Sequence, residues 1–576
     1  MSKLTRPTTV ELEGVGKVTL RERDYVTAGG EGVIYRKGDH IIKLTHDPQQ
    51  FVATDMPAKL RLLKQSLAHP SIVVPRGVVL DRRGTPVGMH MPYVDGEPFP
   101  RLFTTSWQRQ NHFDNQASTA LATVMRDVVT HTHSAGALLV DANELNWLAD
   151  VSDIRQPIPY IIDVDSWQIG HFPGTAIMPS IRDWHTAISE ASDWFAWGVV
   201  TFLLYTGIHP YKGKLVGYQN NELERRMREQ ASVFRPEVKL NQAVRDFANI
   251  PGPLLDWYRA TFEEGERTTP PSPQQTGVAT TTVGRTLRAV TTHSGGLHYE
   301  QLLRILGTDI VSVWPCGVVL TSDQRLVNVR TQRTITTMRG SRAAVVERAG
   351  GYLIAEAIGD TWQFRFVSAQ GVESMLSLDL PITEVIRNGE RLFVHTGDTL
   401  AELILHTFSR PLLTVDKRWA VPTLSSSWLS GFGVADYLGA MHLVIPYGEQ
   451  EVALVRAREL DGKRVIHGIG LEAIATVVTV DKDGAYQAIT FSGRSGWRTY
   501  QVTNRDIDGP ELNQTVLPKG VTAQIDNDGE LTIVVPSSGV SKQVVDKDLL
   551  STMQLSRIGN QVVYRQAGAL WSLRMT

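Results

Sequence analysis

Strand–turn–strand units recur through the second half of this 576-residue chain, and they constrain its fold more than any other feature. They are CGVVLTSDQRLVNVRT (316–331), GGYLIAEAIGDTWQFRFV (350–367), NGERLFVHTGDTLAELIL (388–405), LGAMHLVIPYGEQEVALVRA (438–457), DGAYQAITFSGRSGWRTYQV (483–502), DGELTIVVPSSGVSKQVV (528–545) and GNQVVYRQAGALWSLRM (559–575). In each, a short apolar run meets Gly, Asp or Asn and resumes, and almost nothing sustains a helical period. The turns of these seven units recur every 31 to 49 residues. Four-stranded propeller blades take about 40–50 residues each. Residues 293–576 are therefore expected to form an all-β domain, a seven-bladed β-propeller, with a pair of β-sandwiches as the alternative.

The first half has a different texture. Residues 15–270 mix strand-like and helix-like periods, which predicts a separate α+β domain. Residues 271–292, the core of a Pro-, Thr- and Gln-rich stretch, read as a linker and as the expected site of proteolytic cleavage. A multidomain chain follows, since one core does not grow to this length. A net charge of −2 gives no polyanion signature, and no basic–aromatic interleaving points to nucleic acid. The lone cysteine, Cys316, excludes a disulfide scaffold and fits a reducing compartment. The longest apolar run, WFAWGVVTFLLYTGI (194–208), is shorter than the ~20 residues of a bilayer span. Without an apolar signal core at the start, a cytoplasmic protein with no membrane partner is expected. The histidines show no metal spacing.

Chemistry concentrates in HSAGALLVDANELN (133–146) and YIIDVDSWQ (160–168). Asp141 is followed five residues later by Asn146, and Asp163 closes an apolar run downstream. Phosphoryl transfer from ATP needs this set: a carboxylate to orient the attacking hydroxyl, then an amide and a second carboxylate to hold Mg²⁺. Asp165 reads either as a further Mg²⁺ ligand or as a turn cap. In AGGEGVIYRKGDHIIKL (28–44), Gly29, Gly30 and Gly32 would let a hairpin lie close over phosphates, and Lys43 would reach them. The plainer alternative is a Gly-rich hairpin with an exposed lysine.

Two further segments extend the pattern. SDWFAWGVVTFLLYTGIHPYKG (192–213) is apolar all round, as a central buried helix must be. Asp193 at its start is expected to accept hydrogen bonds from backbone amides of the 139–146 loop. GPLLDWYRATFEEGERTTPP (252–271) ends in an Arg-x-x-Pro at Arg267. Taken in order over roughly 15–275, these segments resemble the protein kinase superfamily, in a divergent bacterial or phage branch.

The resemblance implies a two-lobed fold, ATP, Mg²⁺ and transfer to Ser or Thr of a protein. Asp141 would orient the acceptor hydroxyl, and Asn146 and Asp163 would hold Mg²⁺. Lys43 would fix the phosphates. GMHMPYVDGEPF (88–99) resembles the hinge between lobes, where adenine would meet the backbone at Met91, Tyr93 or Val94; Pro92 has no N–H to give. There are departures. The His-Arg pair before the catalytic Asp is Leu139 and Val140. Asn143 stands where a lysine is usual. The helix over 49–66 holds no Glu, and Asp55 is its one acid. Near Pro179 the expected Glu is Ser180, so Arg267 would lack its usual partner. Without an arginine at 140, activity switched by phosphorylation of 166–180 is not expected. The propeller is expected to choose the protein substrate or partner. A kinase-derived scaffold and a small-molecule kinase are the alternatives.

Overall fold

The computed structural model describes residues 7–274 and 296–575, apart from 176, 220, 241–243, 409, 449–450, 527–528, 536–539, 547, 551–552 and 567. Most of the expected linker at 271–292 lies outside the described residues.

The chain comprises an α+β region followed by an all-β region. The first begins with an antiparallel sheet of seven strands: β1 (Thr8–Leu12), β2 (Gly16–Leu20), β3 (Tyr25–Ala28), β4 (Gly32–Lys37), β5 (His40–Thr45), β6 (Gly77–Leu80) and β7 (Pro86–Pro92). Their order in space is β2-β1-β6-β7-β5-β4-β3. β1 lies ahead of the expected start at residue 15, and its hairpin with β2 extends the sheet at the β6 edge. Two helices, α1 (Pro48–Ala53) and α2 (Met56–Ser66), connect β5 to β6. Lys43 pairs with Met89 across β5 and β7, so both side chains share one face of the sheet.

The following part is helical. The helix Asn115–Ser134 packs against Glu190–Thr206, whose residues from 193 onward are all buried. Ser189 caps that helix at its N-terminus and Gly207, at φ 78°, ends it in the left-handed region. Between these helices run short paired strands, Trp147–Asp150 with Ile158–Ile161 and Ala137–Leu138 with Gln168–Ile169. They hold the two acidic loops side by side. Among the described residues no helix is long and apolar enough to cross a membrane.

The second region consists of seven four-stranded antiparallel sheets. Six take their strands consecutively. The seventh joins both ends of the region: Leu297–Arg304 pairs with Ala569–Met575, which continues into Gln561–Gln566 and Gln554–Ile558. Hydrophobic clusters link each sheet to the next. Leu303, Ile310, Val319 and Val563 then join the composite sheet back to the first, so the packing closes on itself.

The two regions touch at both ends of the first. Tyr25 Oη donates to Asp436 Oδ2 at 2.8 Å, in a buried contact, and Leu438 packs against the core of the seven-stranded sheet. At the helical end, Arg464 Nη1 donates to Leu145 O at 2.8 Å.

Candidate active site

Gly32 opens β4 directly over β5, and a Cβ there would collide with Leu44 O, so only glycine fits. Gly29 N–H donates to Gly32 O at 2.9 Å and closes the turn. A Cβ at Gly29 or Gly30 would meet nothing within 4 Å, so no protein packing requires glycine there. Behind this turn lies a cavity of about 380 Å³, lined by Glu31, Lys43, Lys59, Asp165 and Ser166 among others.

Lys43 projects from β5 into the cleft and binds three carboxylates: Glu31 at 2.8 Å, Asp163 at 2.9 Å and Asp165 at 2.9 Å. Burial opposes its charge, but Asp165, Asp163 and Glu31 outweigh burial and hold the ammonium well above the usual lysine range. Burial, with Asp165 alongside, pushes the Asp163 carboxyl up to about 6. Asp163 itself sits at φ 61°, ψ 34°, a left-handed conformation that a non-glycine residue adopts at some cost.

The acid expected on the following helix is absent from the site. Asp55 is exposed at the start of α2, at φ 50°. A lysine takes the inner face instead. Lys59 is buried, and its Nζ donates to Asp165 O at 2.8 Å and Pro173 O at 3.2 Å. Burial depresses its pKa. It ties together both ends of the segment that follows Asp163.

Asp141 and Asn146 lie on the facing loop. Asn146 Nδ2 donates to Asp141 O at 2.8 Å, and Ile162 N–H donates to Asn146 O at 2.9 Å. The second bond brings Asn146 beside the strand that ends in Asp163. Asp141 Oδ1 accepts from Met178 N–H at 2.9 Å, while burial raises its pKa. Asn143 is buried and accepts from Leu145 N–H at 2.8 Å, so its side chain braces the loop.

Asp193 anchors this loop from below. The N–H groups of Leu139 and Val140 donate to its two oxygens, each at 2.9 Å, and His133 Nε2 lies 3.0 Å away. Val140, β-branched and at φ 64°, is held in a conformation that such residues avoid. The Asp193 contacts stabilise it there.

The brace at Arg267 corrects the sequence expectation. Its partner is not at position 180. Arg267 donates to Asp183 from Nε at 2.5 Å and from Nη2 at 2.9 Å, and the Asp183 side chain is fully buried. Burial alone would raise the Asp183 pKa; the Arg267 guanidinium and the His185 N–H together pull it below the ordinary value. Ser166 and Ser180 are buried and Thr175 is exposed.

At the hinge, Tyr93 N–H donates to Asp39 O at 2.7 Å, and Met91 is buried in β7 opposite Ile41. Neither offers a free amide to adenine. β7 ends at Pro92, so Tyr93 and then Val94 of the expected hinge follow the strand.

Glu31, Asp163 and Asp165 each bring a carboxylate oxygen within 4.8 Å of the others. Asp165 Oδ1 is buried and has no hydrogen-bond partner among the described residues. Such hard oxygen donors suit Mg²⁺. Glu31 and Lys59 escaped the sequence reading. Glu31 is flanked by the glycines, which was the available signal; nothing local marks Lys59.

No protein-family model matches the chain, and no curated protein matches it. Among solved structures, the autoinhibited serine kinase domain of the giant muscle protein titin matches with a TM-score of 0.33 and 15% identity, over 43% of this chain and 75% of that one.

Proposed function

We propose that the first region is a two-lobed, protein-kinase-like domain that transfers a phosphoryl group from ATP to Ser or Thr of a protein. One observation carries this reading. Lys43, Asp163 and Asp165, up to 122 residues apart, meet in one cleft that faces Asp141 and Asn146. Lys43 would bind the phosphates, and Asp141 would accept a hydrogen bond from the acceptor hydroxyl. Asn146, Asp163 and Asp165 would hold Mg²⁺, which neutralises charge on the phosphates when bound. Asn143 supplies no cation near the acceptor.

The second region, on this reading, is a seven-bladed β-propeller that recognises the substrate or a partner. Six consecutive four-stranded sheets and a seventh, composite sheet made from both ends support it, because that is how a ring of blades closes.

A scaffold reading draws on a different observation: Glu31 already engages Lys43 from the glycine turn. Two measurements separate the readings. Purified protein should bind Mg-ATP and should incorporate radiolabelled phosphate into host-lysate proteins. Lys43→Met should lower incorporation by roughly 10²-fold or more. Binding without incorporation would leave the scaffold reading standing.

The burial of Ser166 and Ser180 supports a second expectation. Phosphatase treatment should leave activity unchanged. A large loss, restored by rephosphorylation of 166–180, would contradict it.

A further inference from the structure

The turn at 481–485 of the second region rests on the candidate active site of the first. It joins strands Ile474–Val480 and Tyr486–Arg494. Asp481 Oδ1 accepts from the N–H groups of Asp483 and Ala485, each at 2.9 Å, so the turn is preformed. Gly484, at φ 79°, lies against residues 178–180. A Cβ there would collide with Ser180 Oγ and stand 2.8 Å from Ser180 Cβ and 3.2 Å from Met178 Sδ. Beside it, Tyr486 Oη donates to the buried Glu144 Oε1 at 3.4 Å. Arg464 donates to Leu145 O at 2.8 Å, and Leu145 packs among Ile466 and Tyr486.

The second region therefore covers two strips at once, 144–145 of the acidic loop and 178–180. Asp141 precedes the first strip by three residues and accepts from Met178 N–H in the second. An acceptor hydroxyl must come within about 3 Å of Asp141. A polypeptide carrying it in extended form advances about 3.3 Å per residue and would have to cross a covered strip. We propose that the 481–485 turn is a specificity element that excludes extended polypeptide acceptors from the site while it is docked. This rests on the phosphotransfer reading above, and it narrows the acceptors of the docked form to hydroxyls that reach Asp141 without a flanking extended chain.

The test uses the full chain and two independent ways of loosening the contact. Gly484→Val puts a side chain where there is no room for one. Arg464→Ala with Tyr486→Phe removes the polar ties without adding bulk. Each is assayed for phosphorylation of a degenerate Ser/Thr peptide library, for the KM for ATP, and for amide hydrogen exchange over 177–181. Loosening should raise peptide phosphorylation by roughly tenfold or more, leave the KM for ATP unchanged and speed exchange at 177–181. Faster exchange with peptide phosphorylation flat or reduced would overturn the proposal, as would unchanged exchange in both variants. If the parent chain binds no Mg-ATP, the phosphotransfer reading fails instead, and the exchange data still report whether the turn shields 177–181.

Discussion

Asp163→Asn and Asp141→Asn should each abolish phosphoryl transfer while leaving the protein folded. Asp163 is one of three carboxylates on Lys43; Asp165 and Glu31 keep the lysine paired after the change. Its loss would remove a hard anionic donor from the proposed Mg²⁺ set. Asp141→Asn keeps an oxygen to accept from Met178 N–H, so the loop stays in place. It loses the charge that would draw the proton of the acceptor hydroxyl. A loss of about 4 kcal/mol in transition-state stabilisation corresponds to roughly 10³-fold in rate. Radiolabel incorporation at saturating Mg-ATP is the measurement, with the thermal midpoint as control. Undiminished incorporation in both folded variants would refute the phosphotransfer reading.

The largest effect on stability is expected at Arg267. Its guanidinium is the cation bound to the buried Asp183. Arg267→Ala strands a carboxylate in the interior with the His185 N–H and the Thr186 hydroxyl as its remaining donors among the described residues. Breaking a buried pair in this way costs about 3–5 kcal/mol. That is a large part of the roughly 5–15 kcal/mol that holds a domain folded. The pH dependence has a definite sign. Asp183 has its pKa lowered in the fold, so its contribution is present above the unfolded carboxylate value and is lost as pH falls through the folded one. At pH 7, urea unfolding of Arg267→Ala should shift to lower denaturant, with the gap to the parent closing in acid. Coincident curves at pH 7 would show that the pair contributes nothing.

What could be read from the sequence follows the range of the interactions. Asp141 and Asn146 share one loop, and Asp163 ends one apolar run, so their grouping was visible in short windows. The strand periods of the second half were visible for the same reason. Partners were harder. Arg267 was legible as a brace, but its acid sits three residues beyond the expected position, and no local pattern marks Asp183 as buried. Lys59 looks like any solvent-facing lysine until α2 is seen to turn it towards Asp165. That Met91 faces Ile41 across the sheet and that the Tyr93 amide is bonded to Asp39 O shows only in the fold. The docking of Gly484 on residues 178–180 joins two regions whose relation the sequence does not encode locally.

The composite sheet has a consequence for biosynthesis. Within the second region, Leu297–Arg304 is the first of the described strands to be made and its partner Ala569–Met575 is the last. Nearly the whole second region leaves the ribosome before the composite sheet can form, and until then the early strand is an unsatisfied edge. The first region meanwhile has all its own strands and helices. A nascent chain thus passes through an interval with the first region made and the composite sheet of the second still open. If the 481–485 turn covers the site as proposed, newly made molecules would be the ones most open to acceptors that the docked form excludes.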